Sequence, residues 1–316
     1  SSQDIIARGY AYSLSRAFSF TTNASLMKRL FLLSSLCATL FIVNAQERTL
    51  VWSDEFNTAG PLNEADWNYE KGFVRNHELQ WYQSDNAICR DGCLIITARH
   101  EQVKNPNYVK FDETNQDGHP RRRRPDWRQQ REYAEYTSAS VNTRGKHEFL
   151  FGTLEVRARI PVLEGAWPAI WTLGTQWHWP SCGEIDVMEY YRIKDVPHIL
   201  ANAAWGNDNN QAVWNSKAIP FTHFTDKDPD WAQKFHVWRM EWQPEDLRIY
   251  LDDELLNDID LTKTINGSYG EGKNPFHTPQ YFLLNLAIGG QHGGEPDPEK
   301  YPLRYEIDYI RFYQEK

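Results

Sequence analysis

The sequence predicts an all-β fold, a jelly-roll β-sandwich of two antiparallel sheets. Three observations carry that expectation. From Leu50 onward, short runs rich in Val, Ile, Leu, Tyr, Phe and Trp are broken by turn residues, the rhythm of many short strands. Leu154, Val156, Ala158 and Ile160 alternate with Glu155, Arg157 and Arg159, the period of a strand with one buried face. Long apolar stripes at helical spacing are missing, which disfavours a helical bundle or a doubly wound sheet. Charged residues make up 24% and hydrophobic ones 41%, so a folded chain is expected. The net charge of −9 argues against nucleic acid as a partner, because a phosphate backbone demands a clustered basic face.

The first element is a targeting signal. Met27-Lys28-Arg29 is a basic start, Leu30 to Val43 is a 14-residue mostly apolar run, and Val43-Asn44-Ala45 is a small-residue cleavage site before Gln46. Such a run is too short to cross a ~30 Å hydrocarbon core as a helix. Residues 27–45 therefore read as a cleaved export peptide, with no membrane span, and the product as secreted, periplasmic or at the cell surface. The rival reading lipidates Cys37, but Leu36 before it is not the small residue that reading wants. Residues 1–26 precede Met27 and are read as foreign to the natural mature protein. Residues 46–316 form one domain on this reading, and a monomer is expected.

Export permits disulfides. Cys89 and Cys93 bracket Arg90-Asp91-Gly92, a tight-turn signal, so they could face each other across a hairpin. A bridge and two free thiols both stay open, since spacing alone never fixes connectivity. Cys182 is expected as a buried free thiol. Strands are predicted over 93–98, 153–160, 238–242, 247–251, 281–288 and 305–313, with Asp252-Asp253 as a hairpin turn. Residues 100–133, with the run Arg121–Arg124, break the rhythm and read as a long surface loop, one candidate rim of a cleft. The chain is rich in aromatic residues, with 13 Trp, 16 Tyr and 15 Phe, which suits a large core and equally a cleft whose flat rings stack on sugars.

The chemistry concentrates in Glu184-Ile185-Asp186-Val187-Met188-Glu189, three carboxylates within six residues of a strand-like stretch. In a regular strand Glu184 and Asp186 share a face and Glu189 points away. One extra residue near Val187–Met188, a β-bulge, brings Glu189 onto the same face. Grouped carboxylates are electrostatically costly, and glycoside hydrolysis supplies a reason for them. A retaining enzyme needs two carboxyl groups ~5–5.5 Å apart, one as nucleophile and one as acid/base. Close negative charges also push one of them to stay protonated. The competing readings are a calcium site or plain surface charge.

The same six residues resemble the signature of glycoside hydrolase family 16, in its bulged-strand laminarinase-type branch. Segments around Trp52–Phe56, Tyr136–Ala139, Gly152–Arg157, Gly165–Trp171, Asn285–Gly290 and Asp308–Arg311 resemble the family in the family's order, so the likeness spans about 50–314. It implies a concave cleft on a jelly roll, an exported endo-acting enzyme and no cofactor for catalysis. By position, Glu184 would be the nucleophile, Asp186 its helper and Glu189 the acid/base. Asn76 and Glu78 resemble a segment that contacts sugar hydroxyls. Trp167 and Trp171 match rings on the non-reducing side of the cut, and His236 and Trp242 occupy family-like positions on a later strand. The competing readings are core aromatics for the tryptophans, a turn residue for Asn76 and a structural histidine for His236. Many relatives carry a structural calcium, and Glu55, the Gly92 carbonyl and Asp308 match positions that could form it.

Two departures bear on substrate. Laminarinase-like relatives often place a Trp after the late Gly-Gly, where this chain reads Gly289-Gly290-Gln291-His292. A His-containing segment common in β-glucanases is replaced by Leu200-Ala201-Asn202-Ala203-Ala204-Trp205. A β-1,3- or mixed-linkage β-1,3-1,4-glucan is the leading substrate. An endo-β-1,4-galactosidase-type enzyme acting on agar-like, porphyran, keratan or mucin-type glycans is the alternative, because loss of a bulky ring could admit an axial hydroxyl. A non-catalytic β-glucan-binding protein on the same fold is the other class, and such proteins lose carboxylates that this chain keeps.

Overall fold

The computed structural model describes residues 48–111 and 124–315. The predicted export peptide and Arg121–Arg123 lie outside them. Two antiparallel sheets form, neither closed into a barrel. The larger has, in spatial order, β15 (Glu254–Asp260), β14 (Asp246–Leu251), β13 (His236–Trp242), β8 (Gly152–Arg159), β17 (Leu303–Glu315), β5 (Cys93–Lys104), β6 (Tyr133–Ser138) and β3 (Gln80–Tyr82). To these, β1 (Arg48–Asp54) adds against β17 and β4 (Ala87–Arg90) against β5. The smaller sheet runs β12 (Ala212–Pro220), β11 (Val196–Gly206), β10 (Glu184–Ile193), β9 (Ala166–Gly174), β16 (Gln280–Ile288), β7 (Ser140–Asn142) and β2 (Asn68–Tyr69). Every named strand pair is antiparallel except β3 with β6.

The alternation read from β8 works as expected. Leu154, Val156 and Ala158 are fully buried and share one core with Ile185, Val187 and Met188 of the smaller sheet. Burial of such side chains contributes about 1.5–3 kcal/mol each, an upper estimate, so alternation of this kind is what holds the two sheets face to face. The smaller sheet's other face is thereby left to carry the cleft.

The segment expected to be a loop is partly strand. β5 runs on to Lys104 and pairs with β6, because residues 99–104 alternate as a half-exposed strand whose polar side masks the pattern. The described part of the insert braces the chain near Asn76: Arg128 donates to the Val74 carbonyl at 3.1 Å and Arg131 to the Glu78 carbonyl at 2.7 Å. Cys89 and Cys93 do not bridge. A two-residue turn with positive φ at Asp91 and Gly92 joins β4 to β5, so Cys93 lies opposite Arg90, and Cys89 opposite Leu94. The two sulfurs therefore project from opposite faces of the hairpin, and Cys89, Cys93 and Cys182 are all free thiols.

Candidate active site

The site begins with a register shift. Across β10 and β9, Asp186 faces Trp171 and Met188 faces Ile170, so β10 has one residue more than its neighbour. Val187 and Met188 consequently both turn into the core, and Glu184, Asp186, Glu189 and Tyr191 all line the opposite cleft. That is a β-bulge acting as a parity switch. Without it, Glu189 would lie in the sandwich.

The walls come from elements far apart in the chain. Asn76 and His77 sit in the left-handed region, turning the segment before β3 so that Asn76 and Glu78 reach the cleft. Gly289 and Gly290 also take positive φ, and a Cβ on Gly290 would stand 2.8 Å from the Asn76 carbonyl oxygen, so glycine permits the loop to close on that wall. Gln291 then donates its backbone N–H to Asn76 at 3.1 Å. Trp171 donates to Asn285 Oδ1 at 2.7 Å, and the Arg75 guanidinium lies 5.0 Å from its ring centre while pairing with Glu70.

Each acid has its own partners. Trp179 Nε1 donates to Glu184 Oε2 at 2.6 Å, and Trp167 Nε1 donates to Glu189 Oε1 at 2.9 Å. Asn202 Nδ2 spans the other two, at 3.2 Å from Asp186 Oδ2 and 3.0 Å from Glu189 Oε2. Asp186 also hydrogen-bonds Glu184. Burial, then the negative charges of Glu189 and Glu184, hold Asp186 well above the usual aspartate range. The shift favours a proton on the Asp186 side of its hydrogen bond to Glu184. Burial raises Glu184 too, opposed by the hydrogen bonds from Asp186 and Trp179 and by the Arg75 charge. Glu189 is pushed up to about 7, chiefly by burial, against the hydrogen bond from Trp167. Glu78 is raised by burial as well, with Arg75 opposing. The arrangement sets side by side two carboxyl groups with different hydrogen-bond partners, Glu189 pushed up to about 7, and such an unequal pair can serve double displacement.

The cleft thus gathers Glu184, Asp186, Glu189, Asn76, Glu78, Trp167 and Trp171. It does not include His236 or Trp242. Both lie on β13 of the larger sheet, where alternate side chains of that strand enter the core. Trp242 is fully buried and donates to the Phe276 carbonyl at 3.1 Å. His236 stacks on Trp231 with ring centres 3.8 Å apart, and its two ring nitrogens meet Asp252 and the Trp231 carbonyl. The structural-histidine reading is the correct one.

Two members of the expected calcium set have arginine partners. Both Glu55 oxygens accept from Arg311, at 2.8 and 2.7 Å, and Asp308 is paired with Arg157. Among the described residues no group of three or more His, Cys, Asp or Glu could hold a metal ion, whereas the set expected from the resemblance also draws on the Gly92 carbonyl. Residues not singled out from the sequence also line the cleft: Arg75, Trp179, Tyr191, Trp214, Asn285 and His292. Asn202 and His292 sit in the two segments where the sequence departs from laminarinases.

Comparison with known proteins agrees with this geometry. The model of Glycosyl hydrolases family 16 matches residues 76–311. A β-glucanase of Rhodothermus marinus is 34% identical over 84% of this chain and 85% of its own length. The laminarinase catalytic domain of Thermotoga maritima superposes with a TM-score of 0.65 at 30% identity, covering 85% of this chain and 99% of that one. A structure from work on endo-acting O-glycanases, with which prominent members of the human gut microbiota initiate mucin breakdown, reaches 0.72 at 33% identity, covering 85% and 91%. No helix among the described residues is long and apolar enough to cross a membrane. A carboxylate trio turned into one cleft by a bulge, on a sandwich shared with these enzymes, places the chain in glycosyl hydrolases family 16, as a retaining endo-acting glycoside hydrolase.

Proposed function

We propose that the protein is an exported endo-β-glucanase cutting internal β-1,3 or mixed β-1,3-1,4 linkages, with Glu184 as nucleophile and Glu189 as acid/base. The observation that carries the roles is the difference in partners. Glu184 accepts a hydrogen bond from Trp179 and shares another with Asp186, and both favour its anion. Glu189, pushed up to about 7, keeps a proton to give. In the first step Glu184 bonds to the anomeric carbon while Glu189 protonates the departing oxygen. In the second, ionised Glu189 takes a proton from water, which displaces Glu184. Asn76 and Glu78 would contact sugar hydroxyls near the cleavage point, and Trp167 and Trp171 would hold the sugars on the non-reducing side. Export rests on the Met27–Ala45 pattern.

A second reading is favoured by one observation. Where a laminarinase Trp is expected, His292 stacks on Tyr191 at 4.7 Å and meets the edge of Trp167 at 5.1 Å. An imidazole is smaller than an indole, which leaves room for the axial hydroxyl of a galactose. The likeness to the O-glycanase structure supports action on mucin-type chains in the same way. Reducing-end release from laminarin, lichenan, agarose, keratan and mucin glycans separates the two. Product from the first pair alone supports the glucanase, and product from the last three the alternative. Glu184→Gln should abolish either; product from none would leave a binding protein.

A further inference from the structure

Thirteen tryptophans occur in the chain, and all lie within the described residues. Trp179 and Trp214 are the most exposed of them, at 51% and 46%, and both line the same cleft. Trp179 is accounted for by its hydrogen bond to Glu184. Trp214 has no such explanation. It sits on β12, the edge strand of the smaller sheet.

Strand register places it. Glu184 lies opposite Ala204 on β11, and Ala204 lies opposite Trp214 on β12. Residues in one such row share a face, as Trp171, Asp186, Asn202 and Ser216 do one row away, and all four of these line the cleft. Trp214 therefore projects on the catalytic face, two interstrand steps from Glu184, or about 10 Å. That is roughly twice the ~5–5.5 Å carboxyl spacing that brackets a single reacting centre. β9, which carries Trp167 and Trp171, lies on the other side of β10. If those rings hold the non-reducing side, Trp214 stands on the leaving-group side.

We propose that Trp214 is a stacking platform for a sugar beyond the cleavage point on the leaving-group side, so that it makes the enzyme favour chains that continue past the cut. An exposed indole face in a groove is an apolar surface awaiting a partner. The C–H face of a pyranose covers it while the hydroxyls at the ring's rim stay in water. Ser216, two residues along on the same face, adds a hydroxyl beside it. The inference rests on the catalytic reading of Glu184 and Glu189.

The test compares wild type, Trp214→Ala and Trp214→Phe on the polymer that wild type cleaves and on a 4-nitrophenyl glycoside of the matching oligosaccharide. The aryl substrate has no sugar on the leaving-group side. The ratio of kcat/KM on polymer to that on the aryl glycoside should fall about tenfold in Trp214→Ala, mainly through KM, and Trp214→Phe should recover most of it. An unchanged ratio overturns the platform, as does an equal loss on both substrates. Wild-type turnover that Glu184→Gln abolishes tests the underlying catalytic reading separately, so a flat ratio in an active enzyme counts against Trp214 alone.

Discussion

Trp167 donates its indole N–H to Glu189 Oε1 at 2.9 Å, so the ring that lines the cleft also sets the proton affinity of the acid. The bond favours the ionised carboxylate and opposes the burial that raises Glu189 to about 7. Trp167→Phe keeps the ring and removes the donor. With the anion less stabilised, Glu189 should hold its proton to higher pH. The alkaline limb of kcat/KM on polymer should then move up by about one pH unit. A limb that stays in place, or moves down, would assign the alkaline limb to another group.

The geometry allows Asp186 to serve Glu184 as a neutral donor. Burial and two neighbouring carboxylates hold it well above its usual range, and it hydrogen-bonds Glu184. Asn is the isostere of a protonated Asp and also donates. Asp186→Asn should therefore keep kcat within about tenfold of wild type, whereas Asp186→Ala, which leaves Glu184 without that donor, should lose on the order of 10²-fold. Equal losses in both would show that Asp186 works as an anion or passes a proton.

The catalytic strand was legible because parity is a physical constraint. Glu184 and Glu189 can share a face only if one residue is added between them, and the added residue is found at Val187–Met188. Alternation on β8 and the Asp91-Gly92 turn were legible for equally local reasons. Arg75, Trp179 and Trp214 were not, because their place in the cleft follows from long-range pairing between β9, β10, β11 and β12 and from the loop before β3. Segment likeness located β13 but not its sheet. A strand in the outer layer reads the same as one under the cleft when its alternate residues are His236, Trp238, Met240 and Trp242.

Two variants on β13 check that correction. Trp242→Phe loses the bond to the Phe276 carbonyl and leaves a cavity, and His236→Ala leaves Asp252 and the Trp231 carbonyl without their partner. Each should cost about 1–3 kcal/mol of stability, read as a lower melting temperature. KM should not change in either. A raised KM with an unchanged melting temperature would return these residues to substrate binding.

The site itself should be a source of instability at neutral pH. Glu189 has a folded-state pKa of about 7 against 4.5 for the free side chain. Between those values the folded protein binds more protons than the unfolded chain, so stability falls as pH rises through that window. Above it the deficit for this one group is about 3 kcal/mol. The sign is opposite to that of a salt-bridged carboxylate, whose contribution is lost on acidification. Glu189→Gln removes the titration and keeps the shape, with one carbonyl oxygen to accept where Glu189 offers one oxygen each to Trp167 and Asn202. The variant should melt several degrees above wild type at pH 8 and at nearly the same temperature at pH 4, where wild-type Glu189 is mostly neutral in both states. Melting curves of both proteins across that range decide it. A constant difference at every pH would mean that the gain came from packing, and that Glu189 does not carry a raised pKa.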